Sequence, residues 1–240
     1  MQSTQSDTPA IEPDVIVRSG DTVERVVAML KELILEGTLV PGQRLISRDL
    51  VEQLGISRGS LREAFHRLAG DRLIELVPNR GAVVRRLNRA EIIGLFQIRE
   101  ALEGQAARLA AQHIDENDHR ARLEALLKEG RDLQQQLDMR RFTAYNRRFH
   151  QAIVAVSGNQ ELAELIDRYQ LAVFMTHLKR VMGSDSIIKT SIAQHEAIAQ
   201  AILARNEDAA YAAMKQHLWH SATAMLEHDS APASKRLRPK

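Results

Sequence analysis

The segment from Ser47 to Val84 constrains the fold more than any other. Ser47 opens a short run with Leu50, Val51 and Leu54 at helical spacing, and Gly55 breaks it. Ser57 then caps a second run, with Leu61, Ala64, Phe65 and Leu68 on one face. Two short helices around a glycine turn predict a helix-turn-helix. After Asp71 the period changes. Leu73–Val77 and Ala82–Val84 read as two short strands, with Pro78-Asn79-Arg80-Gly81 as the hairpin loop between them. A hairpin directly after a helix-turn-helix is a wing.

The second of these helices begins Ser57-Arg58-Gly59-Ser60-Leu61-Arg62. A recognition helix presents its N-terminal residues to base edges in the major groove. Arg58 and Arg62 are one turn apart and share a face. Each guanidinium can donate two bonds to guanine, about 1–3 kcal/mol of discrimination per good pair. Ser57 and Ser60 can bond phosphates or bases, and the free backbone N–H groups of the first turn suit a phosphate. Arg44, ahead of the first short helix, can clamp phosphate. Arg80 and Gly81 mark the wing tip, where a small backbone can enter the minor groove. A lone exposed arginine is ordinarily a solvated surface residue; the ordered set points to DNA.

The rest of the chain reads as helix. Aromatic residues make up only 4% of the 240 residues, against 44% hydrophobic residues in all, a balance that favours helices over sheets. Asp21 or Thr22 can cap a helix carrying Val23, Val26, Val27, Leu30 and Ile34, which Gly37 ends. Asn88 can cap a long helix through Leu109, and further helical stretches run 115–137, 140–156, 160–181, 186–204 and 207–227. The predicted fold is mainly α: an N-terminal winged helix-turn-helix (20–87) and a C-terminal antiparallel all-α bundle (88–229). A polar arm (1–19) and a basic tail (230–240) flank them. Charge follows the same division, with 12 basic and 9 acidic residues over 17–87 against 17 and 19 over 88–229. There are no cysteines, which excludes disulfides and thiolate chemistry. The first residues lack the apolar segment of a signal peptide, and no run reaches membrane-spanning length. A cytoplasmic protein is the expectation.

Histidines dominate the C-terminal chemistry. Asn146 and His150 share one helix face, His195 follows Ser191 by one turn on a later helix, and His217 lies on the last. Each neighbours apolar positions, so all three can point into the bundle. Converging with one oxygen ligand, they would suit zinc or nickel. The alternative is that each is a hydrogen-bonded core residue. Arg99 can clamp a carboxylate or pair with Glu103 one turn on. An enzyme is not expected: the one Glu-x-x-His run, Glu116 to His119, has no partner motif for a bundle metal catalyst.

The N-terminal half resembles the GntR family in Ile34, Gly37, Leu39, Pro41-Gly42, Arg44-Leu45, Leu50, Leu54-Gly55-Ile56-Ser57-Arg58, Leu61-Arg62-Glu63-Ala64, Arg67-Leu68 and Gly81. The resemblance implies that Arg44, Arg58, Arg62 and Gly81 contact DNA. Arg72 departs from it, standing where the family usually has glycine. The run Ile98-Arg99-Glu100-Ala101-Leu102-Glu103, with Ala106, Ala110-Ala111, Asn146–His150, Ser157-Gly158-Asn159, His195 and His217-Leu218, is similar to the FCD effector domain of the FadR-type branch. That domain commonly holds a divalent metal with an Asp and three His beside an organic-acid effector. By that resemblance the metal set here is Asn146, His150, His195 and His217, with a neutral asparagine at the Asp position and Arg99 for a carboxylate effector. The implied function is a homodimeric transcriptional regulator, a repressor in the commoner case, reading an inverted repeat. The alternative is a DNA-binding protein whose bundle only dimerises.

Overall fold

The computed structural model describes residues 19–35, 37–78, 81–169 and 185–230, and these fall into two compact units divided between Leu87 and Asn88. Asn79 and Arg80 of the wing tip lie outside the described residues, as do most of the N-terminal arm and the basic tail.

The first unit contains α1 (Ser19–Leu35), β1 (Arg44–Leu45), α2 (Ser47–Leu54), α3 (Arg58–Gly70), β2 (Ile74–Val77) and β3 (Gly81–Val84). Helix α1 begins at Ser19, so Asp21 and Thr22 stand in its first turn rather than at its cap. Likewise Ser47 is the first residue of α2; Ile46 takes the cap position and makes no side-chain cap bond. Gly55 ends α2 with φ 61° and returns its N–H to the Val51 carbonyl, the left-handed stop that the glycine permits. Ser57 does cap α3: its hydroxyl accepts from the Ser60 N–H at 3.0 Å. Strands β2 and β3 pair antiparallel, Val77 opposite Gly81, and β1 adds to the free side of β3, with Leu45 opposite Ala82. The sequence reading had no β1, because two residues carry no period. The core joins Leu30 and Ile34 of α1, Leu50 of α2, Leu61, Phe65 and Leu68 of α3, and Leu45, Ile74, Ala82 and Val84 of the sheet, all buried. Burial of such side chains contributes about 1.5–3 kcal/mol each.

The second unit is an all-α bundle: α4 (Arg89–His113), α5 (His119–Gln135), α6 (Met139–Val156), α7 (Gln160–Tyr169), α8 (Asp185–Leu203) and α9 (Glu207–Ser230). Its helix starts are chemically marked. Asn88 and Glu91 form a reciprocal capping box at α4, and Asp138, Asn159 and Asn206 accept first-turn N–H groups of α6, α7 and α9. Helix α4 packs most extensively on α9 and also meets α6, α7 and α8. Small residues allow it: Gly104, Ala106, Ala107, Ala110 and Ala111 are all buried, and a Cβ at Gly104 would stand 2.6 Å from the Tyr211 ring. Phe142, Tyr145, Phe149 and Ile153 of α6 fill the interior. No helix among the described residues is long and apolar enough to cross a membrane.

Candidate functional site

Two places carry chemistry, one in each unit. In the first, Arg58 and Arg62 both stand exposed on α3. They line an open cleft of about 650 Å³ together with Ser47 and Arg48 of α2, His66 of α3 and Gly81 of the wing. Apolar Val51, Leu61, Phe65 and Leu76 line the cleft as well. Gly81 has φ 78°, the left-handed conformation that favours glycine. Ser60 is tied to Ser57, hydroxyl to hydroxyl at 2.9 Å, so the pair rigidifies the start of α3. Arg44 is exposed on β1, opposite Val83. Arg80 lies outside the described residues. Sequence reasoning missed Arg48, which is exposed with its Nε 3.5 Å from Asp49 Oδ1; its position beside Ser47 was the available signal.

In the second unit, buried polar residues gather on four helices: Arg99 and Glu103 of α4, Asn146 and His150 of α6, Ser191 and His195 of α8, His217 of α9. A ring nitrogen from each of His150, His195 and His217 lies within 4.8 Å of the others. The ring centroids are 5.4 Å (150–195), 5.2 Å (150–217) and 4.7 Å (195–217) apart. Asn146 is buried one turn before His150 on the same helix face.

The surroundings differ from ring to ring. His150 Nδ1 lies 2.8 Å from Glu103 Oε2, and Arg99 Nε donates to Glu103 Oε1 at 2.5 Å. Of the two roles open to Arg99, this is the ion pair with Glu103. His217 Nδ1 lies 3.1 Å from Gln194 Oε1. His195 stacks on Phe149 with centroids 4.2 Å apart and planes 13° apart. It is fully buried, and neither ring nitrogen has a hydrogen-bond partner among the described residues; nor does Ser191 Oγ, one turn away.

Electrostatics keep two of these rings, His195 and His217, neutral. Burial, then the neighbouring His217 and His150, holds the His195 pKa well below the ordinary histidine value. Burial, then His150 and Arg99, does the same for His217. Burial opposes ionisation of Glu103, but the Arg99 charge and the His150 contact outweigh it and hold its carboxyl well below the usual range. A neutral imidazole with buried, unpartnered nitrogens, as at His195, is the form that ligates a metal, and His150 and His217 bring ring nitrogens within 4.8 Å of it, so the residues present fit a divalent ion. Gln194 was not singled out from sequence, and Glu103 and Ser191 were named only as one-turn neighbours of Arg99 and His195, not as members of the site. The signal at Glu103 was an Arg/Glu pair one turn apart on an otherwise apolar helix face.

Residues 22–84 match the bacterial regulatory proteins of the gntR family, and residues 94–220 match the FCD domain. The chain belongs to the GntR family. The transcriptional repressor GlaR of Escherichia coli strain K12 is 30% identical over 196 residues, 79% of this chain and 89% of GlaR. The repressor RspR of the same organism is 28% identical over 197 residues, 81% and 85% of the two chains. Among solved structures, E. coli McbR/YncC has the same fold, with a TM-score of 0.74 at 24% identity, covering 90% of this chain and 100% of its own. As a GntR-family protein with an FCD domain, the chain is a DNA-binding transcriptional regulator and not an enzyme.

Proposed function

We propose that this GntR-family regulator is a homodimeric, cytoplasmic repressor whose hold on an inverted-repeat operator is set by a small carboxylate. The carboxylate binds beside a divalent metal, zinc or nickel, held by His150, His195, His217 and Asn146. The observation that carries the reading is His195: a fully buried imidazole, with no partner for either nitrogen among the described residues, whose ring nitrogen stands within 4.8 Å of two other imidazoles. An unsatisfied buried polar group costs about 1–3 kcal/mol, and a ligand that accepts its lone pair offsets that cost.

A divalent ion there supplies a Lewis-acidic centre for oxygen ligands. Imidazole nitrogens and an amide oxygen carry no formal negative charge, so these ligands leave the positive charge of the ion uncancelled, which favours an anionic effector. Arg99, buried in the same cluster, is paired with the Glu103 carboxylate, so the two charges largely offset each other beside the site. Ser191 Oγ, one turn before His195 on α8 and buried with no hydrogen-bond partner among the described residues, offers a hydrogen bond. In the first unit, Arg58, Arg62, Ser57 and Ser60 belong to the recognition helix, Arg44 to the phosphate contacts, and Arg80 and Gly81 to the wing. A coupling of roughly 1–3 kcal/mol between the two sites would change operator affinity about 5–150-fold.

Metal analysis by mass spectrometry tests this, on protein purified without a histidine tag beside a His150→Ala/His195→Ala variant. About one zinc or nickel per chain, lost in the variant, is the expected result. No metal in either protein overturns the sensor reading and leaves a bundle that only dimerises.

A further inference from the structure

We infer that Glu103 is the positioning residue of the histidine site: it fixes the proton of His150 on Nδ1 and leaves Nε2 as that ring's only lone pair. The inference rests on the metal reading above for its purpose, but the tautomer it assigns can be measured without metal.

The geometry divides the carboxylate between two partners. Oε1 receives Arg99 Nε at 2.5 Å and Oε2 faces His150 Nδ1 at 2.8 Å. All three side chains are buried. An ionised carboxylate only accepts hydrogen bonds, so Nδ1 must be the donor. Arg99 only donates, and its Nε holds one of the carboxylate oxygens in a buried ion pair. The guanidinium also stands over the Phe96 ring, 5.2 Å from its centroid, which fixes it on α4. A neutral imidazole with its proton on Nδ1 can ligate only through Nε2.

The other two rings lack this enforcement. The Gln194 amide facing His217 can turn and offer either an oxygen or an NH2. His195 has no partner for either nitrogen among the described residues. Of the three histidines, the tautomer of His150 is therefore the one dictated by a charge. The plain alternative is that Glu103 only neutralises a buried arginine.

Glu103→Gln separates the two accounts. Arg99, a donor, claims the amide oxygen, and the NH2 then turns to His150. Nδ1 becomes an acceptor and the proton moves to Nε2, where it blocks ligation. Long-range 1H–15N spectra of the metal-free protein read the tautomer, and zinc titration against a chromophoric chelator reads affinity. The expected result is Nδ1–H in the unaltered protein, Nε2–H in the variant, and zinc affinity lowered about 10–100-fold. Arg99→Met/Glu103→Gln frees the amide to turn its oxygen back, and should restore Nδ1–H and most of the zinc affinity. Arg99→Met/Glu103→Met, which strands no charge, should populate both tautomers and bind zinc as weakly as the single variant. These two paired variants carry the test if Glu103→Gln does not fold. Nε2–H in the unaltered metal-free protein, or equal tautomers and zinc affinities across the paired variants, overturns the inference. Absence of zinc binding to the unaltered protein, with Nδ1–H intact, overturns the metal reading alone.

Discussion

Arg72 holds φ at 57°, in the left-handed region, where its N–H bonds the Ala69 carbonyl between α3 and β2. A side chain there costs about 1–2 kcal/mol through the clash of Cβ with the backbone, which explains why a glycine suits this turn. Arg72→Gly should therefore stabilise the first unit by about 0.5–1 kcal/mol after the entropy of glycine is subtracted, as a shifted denaturant midpoint. A second residue-scale effect concerns pH. The folded-state pKa values of His195 and His217 are depressed by burial. Below about pH 6.5 the unfolded chain takes up protons that the folded pair refuses. Stability of the metal-stripped protein should be fully present above that pH and fall as pH drops through 6 and 5. The slope is at most about 1.4 kcal/mol per unit for each ring. Circular-dichroism melts between pH 5 and 8 read it, and a flat profile would mean that the rings titrate normally.

At the scale of elements, DNA binding as proposed above is divided between α3 and the β1 strand. Arg62 and Arg58 stand exposed on one face of α3, with its start braced by Ser57 and Ser60. Arg62→Ala should lose about 1–3 kcal/mol of operator affinity and relax base preference, whereas Arg44→Ala should weaken all sequences alike and reduce the salt slope by about one. Gel-shift titrations of operator and random DNA across salt concentrations distinguish them. In the bundle, Gly130 of α5 faces the buried Tyr145 of α6: a Cβ would lie 2.6 Å from its hydroxyl and 3.4 Å from Ile192. Gly130→Ala gains about 1 kcal/mol in helix propensity but overpacks α5 against α6 and α8. A net loss of about 1–2 kcal/mol is expected, and the ring of Tyr145, 5.5 Å from His195, would carry the disturbance into the histidine site.

For the whole molecule, ligand linkage sets the measurable quantity. An ion bound only by the folded bundle stabilises it by about 2.7 kcal/mol at a concentration 100 times its dissociation constant. Chelation should lower the bundle's melting midpoint by several degrees and zinc should restore it, with no such response in His150→Ala/His195→Ala. The variant still folding and binding DNA would show that the loss is local to the histidine site.

The sequence alone determined the elements that local chemistry dictates. The Gly55 break, the Ser57 cap, the change of period after Asp71 and the Asn88 cap are all local signals, so α3, the wing and the start of α4 were legible. The helical class of the second unit followed from its apolar spacing. Convergence was decided only by tertiary structure. His150, His195 and His217 are 45 and 22 residues apart along the chain, and periodicity states which face each occupies, not which helices bring those faces together. The packing of α4 on α9 through small residues, and of α6 and α8 beside them, put three imidazoles within reach of one another. The same packing carried Glu103 of α4 to His150 of α6, across 47 residues. A carboxylate one turn from an arginine is an ordinary helix-surface pair until burial removes water and makes its two oxygens the only acceptors its neighbours can use.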